Sequence, residues 1–580
     1  ELRFRPDHYP LAGRGAIVVP FGEFRPDVSD YLGSATRNIL NVLPRGDGYG
    51  PFKSFAAATQ ALPAACRGGF YALKSDGSVQ VFAGTSKGLY RLNNTDLSWV
   101  PVGKLANCTI SNASPGVVTY TNTFAAGDPV VFAAGSGTLP AEIVAGTVYY
   151  VHATGLSGSS FSVSATSGGT RINTSGGSGT VKITAYYSAL SSNAQWQFAQ
   201  FGNLVFATQA NEVLQVYNLS SSSQFADNSG SPPQAAYISV VGRFLVLSGL
   251  LSTPYRVHWS GLNDTTNWTS GVGSSDYQDF PDGGIVRGVA GGEFGLVFQD
   301  QSIRRMSYIP GSAIIFQIER ITQDLGLFAP YSIVRAGPMV YFYAGQGFYK
   351  IAPGGYPEQI GRERIDRTFF TDLDSANLQL FIGASDPRSS RVFWAYKSGA
   401  GATGLYDKLL GYDAALDRFF PLTASGEYLT GISQAGITLE NLDTISSSID
   451  ALTLTLDSYA NSVQPQLAQW ASTHKQGFFT GDNLEATLET AEQGTDSKRI
   501  FVGGFRPVTD AATFYGSVSL RENAQDVASS TPEVGRNSRT GRCDLRKSTR
   551  YSRMKVRIPA ATTWTYCAGV EPDIRPDGET

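Results

Sequence analysis

The sequence predicts a mainly β protein: a six-bladed β-propeller with an inserted small β-module and a C-terminal β-domain. Three observations lead there. The 580 residues include 64 glycines, and aromatic residues reach 12%, the mixture of Gly-rich turns and aromatic, β-branched strands that marks all-β chains. One hairpin recurs, in which a Gly-led apolar strand, a turn and a second apolar strand follow each other. From the second hairpin on, the starts fall about 40 to 55 residues apart, close to one propeller blade each.

The hairpins are explicit. Gly69–Leu73 runs with Val79–Phe82, and Gly202–Phe206 with Val213–Tyr217. Others open at Gly242, Gly292 and Gly337, and a sixth joins Arg391–Tyr396 to Leu410–Asp413. The first two lie much farther apart than the rest. The extra residues, 104–187, are dense in Gly, Ser and Thr and read as an inserted module with short strands at Val117–Thr121, Pro129–Phe132, Val148–His152, Phe161–Ala165 and Val181–Tyr186. Six blades explain the count best, and a closed propeller accounts for many short strands without exposed edges. A sandwich, or several β-domains with similar hairpins, is the alternative.

The expected layout is an N-terminal arm with strands contacting neighbours (1–65), the propeller (66–435), a helical or loop linker (436–475) and a C-terminal β-domain or ring-capping strands with a tail (476–580). Within the linker, Leu442, Ile445, Ile449, Leu452 and Leu456 step by three and four like an amphipathic helix. Ser446–Ser448 and Thr453 lower helix propensity there, so a draped loop fits as well. After Pro465 strands return at Asn483–Thr490, Arg499–Phe505, Thr513–Leu520, Tyr551–Pro559 and Trp564–Cys567. Residues 522–540 read as a polar loop and Pro572–Thr580 as a tail.

Charge narrows the function classes. Charged residues make up 16% of the chain and the net charge is −3. Average soluble chains carry about a quarter charged residues, so this surface suits burial against partners. A chain without a basic surplus does not bind DNA by releasing counterions over its whole surface, although DNA can still pass by as cargo. No apolar run approaches the roughly 18 residues of a membrane helix, and Glu1–Arg5 lacks the apolar core of a signal peptide. The four cysteines, Cys66, Cys108, Cys543 and Cys567, have no metal-like spacing and read as free buried thiols.

Catalytic signatures are missing. His8, His152, His258 and His474 form no ligand pair, so no metal and no cofactor is expected. Gly84-Thr85-Ser86-Lys87-Gly88 matches the nucleophile elbow in letters only. The elbow needs a following helix, whereas Leu89-Tyr90-Arg91-Leu92 alternates like a strand, so a hairpin turn is expected. Asp276, Asp279, Asp282 and Glu293 share one region; paired carboxylates could cleave sugars, but acids in such loops are ordinarily turn formers.

Two charge patterns stand out. Asp443, Asp450 and Asp457 recur at steps of seven and on a helix form one acidic ridge. Between 539 and 557 eight basic residues oppose only Asp544, a surplus of +7. Arg553, Lys555 and Arg557 alternate with apolar residues and so share one strand face. With Arg546, Lys547 and Arg550 they form a candidate surface for an acidic neighbouring subunit or for DNA phosphates; the plain alternative is a solvated basic face.

Several segments resemble the tail nozzle family of short-tailed bacteriophages, also called tail tubular protein B or packaged-DNA stabilisation proteins. The resemblance is carried by Val241-Gly242-Arg243-Phe244, by Val257–Trp268, by Ile285–Gly288, by Leu296–Phe298 with Ser302-Ile303, and by Gly326–Val334 preceding Gly345–Tyr349. It covers most of 235–375 and, more faintly, Gly541–Pro559. Residues 104–187, marked by Ala126–Phe132, are similar to small β-modules of phage tail proteins. The resemblance implies a structural protein and not an enzyme. It implies a homo-hexameric ring in the virion tail, assembled in the bacterial host cytoplasm beneath the portal and the head-to-tail adaptor protein. Tail fibre, spike or needle proteins are its further implied partners, and double-stranded DNA is retained by the ring and conducted through it at ejection. Six copies at −3 would carry −18, which suits a phosphate-repelling bore. The competing expectation is a receptor- or glycan-binding tail spike or fibre protein, with or without glycan cleavage.

Overall fold

The computed structural model describes residues 18–29, 34–312, 314–433, 448, 465–494 and 498–577. Almost all of its regular structure is strand, as the composition requires, and only one short α-helix, Asp366–Asp372, occurs among the described residues.

Seven four-stranded antiparallel sheets succeed one another around a ring. Six are continuous in sequence, with innermost strands Gly69–Leu73, Gln197–Phe201, Ala235–Val241, Val286–Ala290, Val334–Ala336 and Ile382–Asp386. Blade 7 is not continuous. Tyr428–Ile432, Gln466–Trp470 and Lys475–Phe478 supply three strands, and Ala56–Ala61 supplies the outermost one. The ring therefore has seven blades rather than the expected six. The hairpin pattern misses the seventh because its first two strands are separated by residues 433–465 and its last comes from the other end of the chain. The propeller accordingly extends beyond residue 435, through Phe478.

Tryptophans lock the blade boundaries. Trp196, Trp394 and Trp470 are completely buried. The Trp470 ring lies so close to Gly69 that a Cβ there would sit 2.4 Å from its edge, and a Cβ on Gly84 would sit equally close to Trp196. These two glycines are required for close approach of neighbouring blades. Trp394 donates its indole N–H to the Ser332 carbonyl at 2.9 Å, tying blade 6 to blade 5.

The expected module forms a seven-stranded sheet between Leu105 and Thr184, placed after the complete first blade and before the second. It has its own core of Val130, Phe132, Val151, Phe161 and Ile183.

The C-terminal β-domain is built from both chain ends. One sheet runs Cys543–Thr549, Ile500–Thr509, Cys567–Pro576, Gly48–Pro51, Val42–Arg45, with Val19–Pro20 paired to Cys567–Pro576. The other includes Ile39–Leu40, Ala486–Glu489, Tyr551–Ile558 and Tyr515–Arg521. The described part of the expected N-terminal arm is thus paired within its own chain. The expected tail from Pro572 is the second half of a central strand, and the expected loop 522–540 contains two short strands, Ser529–Ser530 and Val534–Gly535. The domain seats on the outermost strand of blade 6: Asn41 donates its backbone N–H to the Pro421 carbonyl and accepts the N–H of Thr423.

Gly69→Ala should lower stability by about 1–3 kcal/mol through overpacking. Trp470→Ala should cost about 3–5 kcal/mol. Thermal melts of the purified variants check both.

Candidate functional site

The upper face of the propeller is the one where each innermost strand begins, and there polar side chains meet on the ring axis. Gln195 precedes blade 2, Tyr331 precedes blade 5 and Gln379 precedes blade 6, three steps away on either side of a seven-membered ring. Their contacts therefore cross the axis. The Gln195 backbone N–H donates to the Tyr331 hydroxyl at 3.0 Å, and its side-chain amide donates to the Gln379 carbonyl. Tyr237 of blade 3 packs its ring 6.2 Å from Tyr331, and Arg67, entering blade 1, donates to the Ser192 carbonyl at 2.7 Å. Burial pushes the Tyr331 hydroxyl far above its ordinary range and raises Tyr237 to about 12. Both phenols stay neutral donors and acceptors, and the axis is closed at this level by a hydrogen-bonded bridge.

Beside it lies the staple of the ring closure. The Glu427 carboxylate accepts the N–H of Cys66 at 2.9 Å and holds Nδ1 of His474 at 2.5 Å. The His474 carbonyl accepts the N–H of Leu62, just beyond the strand that completes blade 7. Desolvation raises the Glu427 carboxyl, and burial pushes the Cys66 thiol well above its usual range, so that thiol is no ready nucleophile.

At the rim, a trough of about 470 Å³ borders helix Asp366–Asp372 and is lined by Asp27, Gln346, Arg362, Asp366, Arg367 and Phe370. Asp27 caps the helix, accepting from the backbone of Arg367 and Thr368. Asp366 accepts the N–H of Phe348 at 3.1 Å and the Gln359 amide at 2.9 Å, and burial raises its carboxyl to about 6.

The basic residues predicted from sequence divide into two groups. Arg553, Lys555 and Arg557 do share one face of Tyr551–Ile558, opposite Ser519, Ser517 and Tyr515. That face meets acids of the same chain: Arg557 reaches Glu533 at 2.7 Å and Glu485 at 3.0 Å, and Arg553 reaches Glu492 at 3.5 Å. Arg546 and Lys547 lie instead on the edge strand Cys543–Thr549 of the other sheet, both exposed, and Arg550 lies in the turn between the strands. The ridge Asp443, Asp450, Asp457 and the leucine stripe around it lie outside the described residues.

The remaining candidates resolve locally. Asp279 is held bidentately by Arg256 at 2.6 and 2.8 Å, Asp282 by Arg304 at 2.6 Å, and Asp276 accepts the Ser270 hydroxyl. Ser86 sits in a turn between strands Val79–Gly84 and Leu89–Leu92, as expected, and its carbonyl accepts the N–H of Leu190 where the chain returns from the module. The four cysteines are free and buried. Among the described residues no group of His, Cys, Asp and Glu could hold a metal ion, and no helix is long and apolar enough to cross a membrane. Sequence reasoning missed Gln195, Tyr331 and Gln379. Tyr331 and Gln379 stand in short 3-10 turns and Gln195 in an irregular segment ahead of a strand, and no periodicity marks them.

No family model matches the chain, and no curated protein is similar to it. Among solved structures, the β-propeller domain of Cps50 (Swd1) from Myceliophteria thermophila is 8% identical, with 59% of this chain and 96% of that one covered at a TM-score of 0.27. The computationally designed Ika8 protein is 11% identical over 74% and 98%, at 0.30. Hsv2 of Kluyvelomyces marxianus is 8% identical over 62% and 97%, at 0.25. Likeness at this level has no bearing on function, and the propeller is established by its own strand pairing.

Tyr331→Phe leaves the buried Gln195 N–H without an acceptor and should cost roughly 1–3 kcal/mol, read as a lowered melting temperature. For Asp366 the folded state holds its proton more tightly than the unfolded chain does. Its contribution is fully present below about pH 4 and is lost as pH rises through about 6. Asp366→Asn should flatten the stability profile across that window, measured by denaturant titration at stepped pH.

Proposed function

We propose that this chain is the nozzle subunit of a short phage tail, six copies of which form a ring that retains packaged DNA and conducts it at ejection. The ring sits in the virion tail below the portal and adaptor, contacts fibre, spike or needle proteins, and is assembled in the host cytoplasm. It acts by shape and repulsion and catalyses no reaction.

The observation that carries this reading is the bridged axis. The bridge of Gln195 to Tyr331 and Gln379 fills the upper mouth of the propeller, so the blades form a plate rather than a funnel toward a bound substrate. A passage for a duplex then lies between copies, with each subunit as a wall segment. The segments that resemble the nozzle family support the same reading. They fall in blades 3 to 5 and supply packing and turns: Trp259 and Trp268 are buried, and Gly242 and Asn263 take left-handed turn conformations. The low charge of the chain suits burial between subunits.

Cryo-electron microscopy of assembled particles tests the proposal. The expected image is a six-fold ring of this chain below the head with duplex density on the ring axis. A three-fold assembly, or this chain at the distal fibre tips, would overturn it.

A further inference from the structure

The fold has two remote, unpaired strand edges of opposite electrostatic character. The first is Cys543–Thr549. It ends the sheet whose opposite edge, Val42–Arg45, lies against blade 6. Four strand spacings separate those edges, about 19 Å, so it stands far out from the propeller. Its pairing is bulged: Lys547 pairs with Val502 and Asp544 with Gly504, leaving Leu545 and Arg546 opposite Gly503. Arg546 has φ +53°, a conformation a side chain rarely adopts, and it is exposed beside exposed Lys547. Neither has a carboxylate partner among the described residues, in contrast to Arg553 and Arg557.

The second edge is Asp276–Asp279, the outermost strand of blade 3. In a ring of seven, blade 3 stands across the axis from blade 6. Residues 257–286 contain four aspartates and no lysine or arginine. Arg256 holds Asp279, and Arg304 and Arg320 hold Asp282, while Asp264 and Asp276 have no basic partner among the described residues. Tyr277 and Gln278 on the same strand are exposed, as are Tyr255 and Ile285 nearby. Such an edge offers backbone hydrogen bonds, aromatic surface and negative charge together.

We infer that these two edges are the two halves of one interface between copies of this chain: the basic edge Cys543–Thr549 of one copy docks on the acidic edge Asp276–Asp279 of the next. The contact is head-to-tail, so it leaves one free edge of each kind at the ends of any open chain and propagates until a ring closes. Strand addition supplies main-chain hydrogen bonds, and the opposed charges set direction and exclude like-edge pairing. The inference rests on the ring reading and names its subunit contact.

Directed cross-linking tests it in the full chain. The native cysteines are buried, so Gln278→Cys and Lys547→Cys introduce the only exposed thiols among the described residues. Under mild oxidation with copper phenanthroline, a mixture of the two single variants should give a disulfide-linked dimer containing one of each. The double variant should give a ladder of oligomers on non-reducing gels. Arg546→Glu with Lys547→Glu should raise the concentration needed for assembly in sedimentation velocity at least about ten-fold. A ring that assembles in the particle without the 278–547 cross-link leaves the nozzle reading standing and removes this interface. A chain that stays monomeric at every concentration and never joins a ring removes both.

Discussion

The structure depends on one non-local pairing, the strand Ala56–Ala61 laid along Lys475–Phe478 to complete blade 7. Without it the seventh sheet would have three strands and an open edge, and the ring would lose its seam. The pairing is reinforced on each side. Glu427 binds Cys66 and His474 at the upper face, and Trp99 donates its indole N–H to the Gln60 carbonyl at 3.0 Å. The fully buried Trp470 then presses on Gly69 across the boundary between blades 7 and 1.

Both ends of the chain leave this seam for the same place. Val19–Pro20, Ile39–Leu40, Val42–Arg45 and Gly48–Pro51 interleave with strands between Ala486 and Pro576 into the two sheets beside blade 6, so the C-terminal domain, like blade 7, is closed by pairings between the two halves of the chain. Contacts of such sequence separation carry a large loop-closure cost before they return any stability. The domain in turn keeps the closing strand in position, because Asn41 bridges Thr423 of blade 6 and the Glu485 carbonyl. Ring closure and the C-terminal domain thus share the meeting of the same two chain segments.

Function follows from what this architecture leaves open. The axis is bridged, Asp279 and Asp282 are held by arginines of blades 3 and 4, and Arg553 and Arg557 of the alternating basic strand are paired with Glu485, Glu492 and Glu533. Arg546 and Lys547 on the edge Cys543–Thr549, and Asp264 and Asp276 of blade 3, have no partner of opposite charge among the described residues. In the function proposed above, the edges Cys543–Thr549 and Asp276–Asp279 are where one copy of the chain meets the next.

Much of the fold was legible in the sequence because hairpins are local. One hairpin in each of blades 1 to 6, the module at 104–187 and the strands near 486, 500, 515 and 551 announce themselves by turn residues and apolar alternation, which need only neighbours in sequence. The innermost strands of blades 2 to 6, in contrast, were not read, and the strand expected at Trp564–Cys567 begins only at Cys567. The turn at Ser86 and the free cysteines were readable for the same reason. The seventh blade, the placement of Val42–Arg45 beside blade 6 and the role of Pro572 onward were not, since each is a pairing across hundreds of residues. The site was less legible still. A polar residue ahead of a strand looks alike in any loop, and only the closed ring carries Gln195 to Tyr331. Likewise the alternation of Arg553, Lys555 and Arg557 established a shared face, but whether that face was free or paired depended on glutamates from other strands. Local periodicity is encoded residue by residue; the cancellation of charges and the filling of an axis exist only once distant segments occupy the same space.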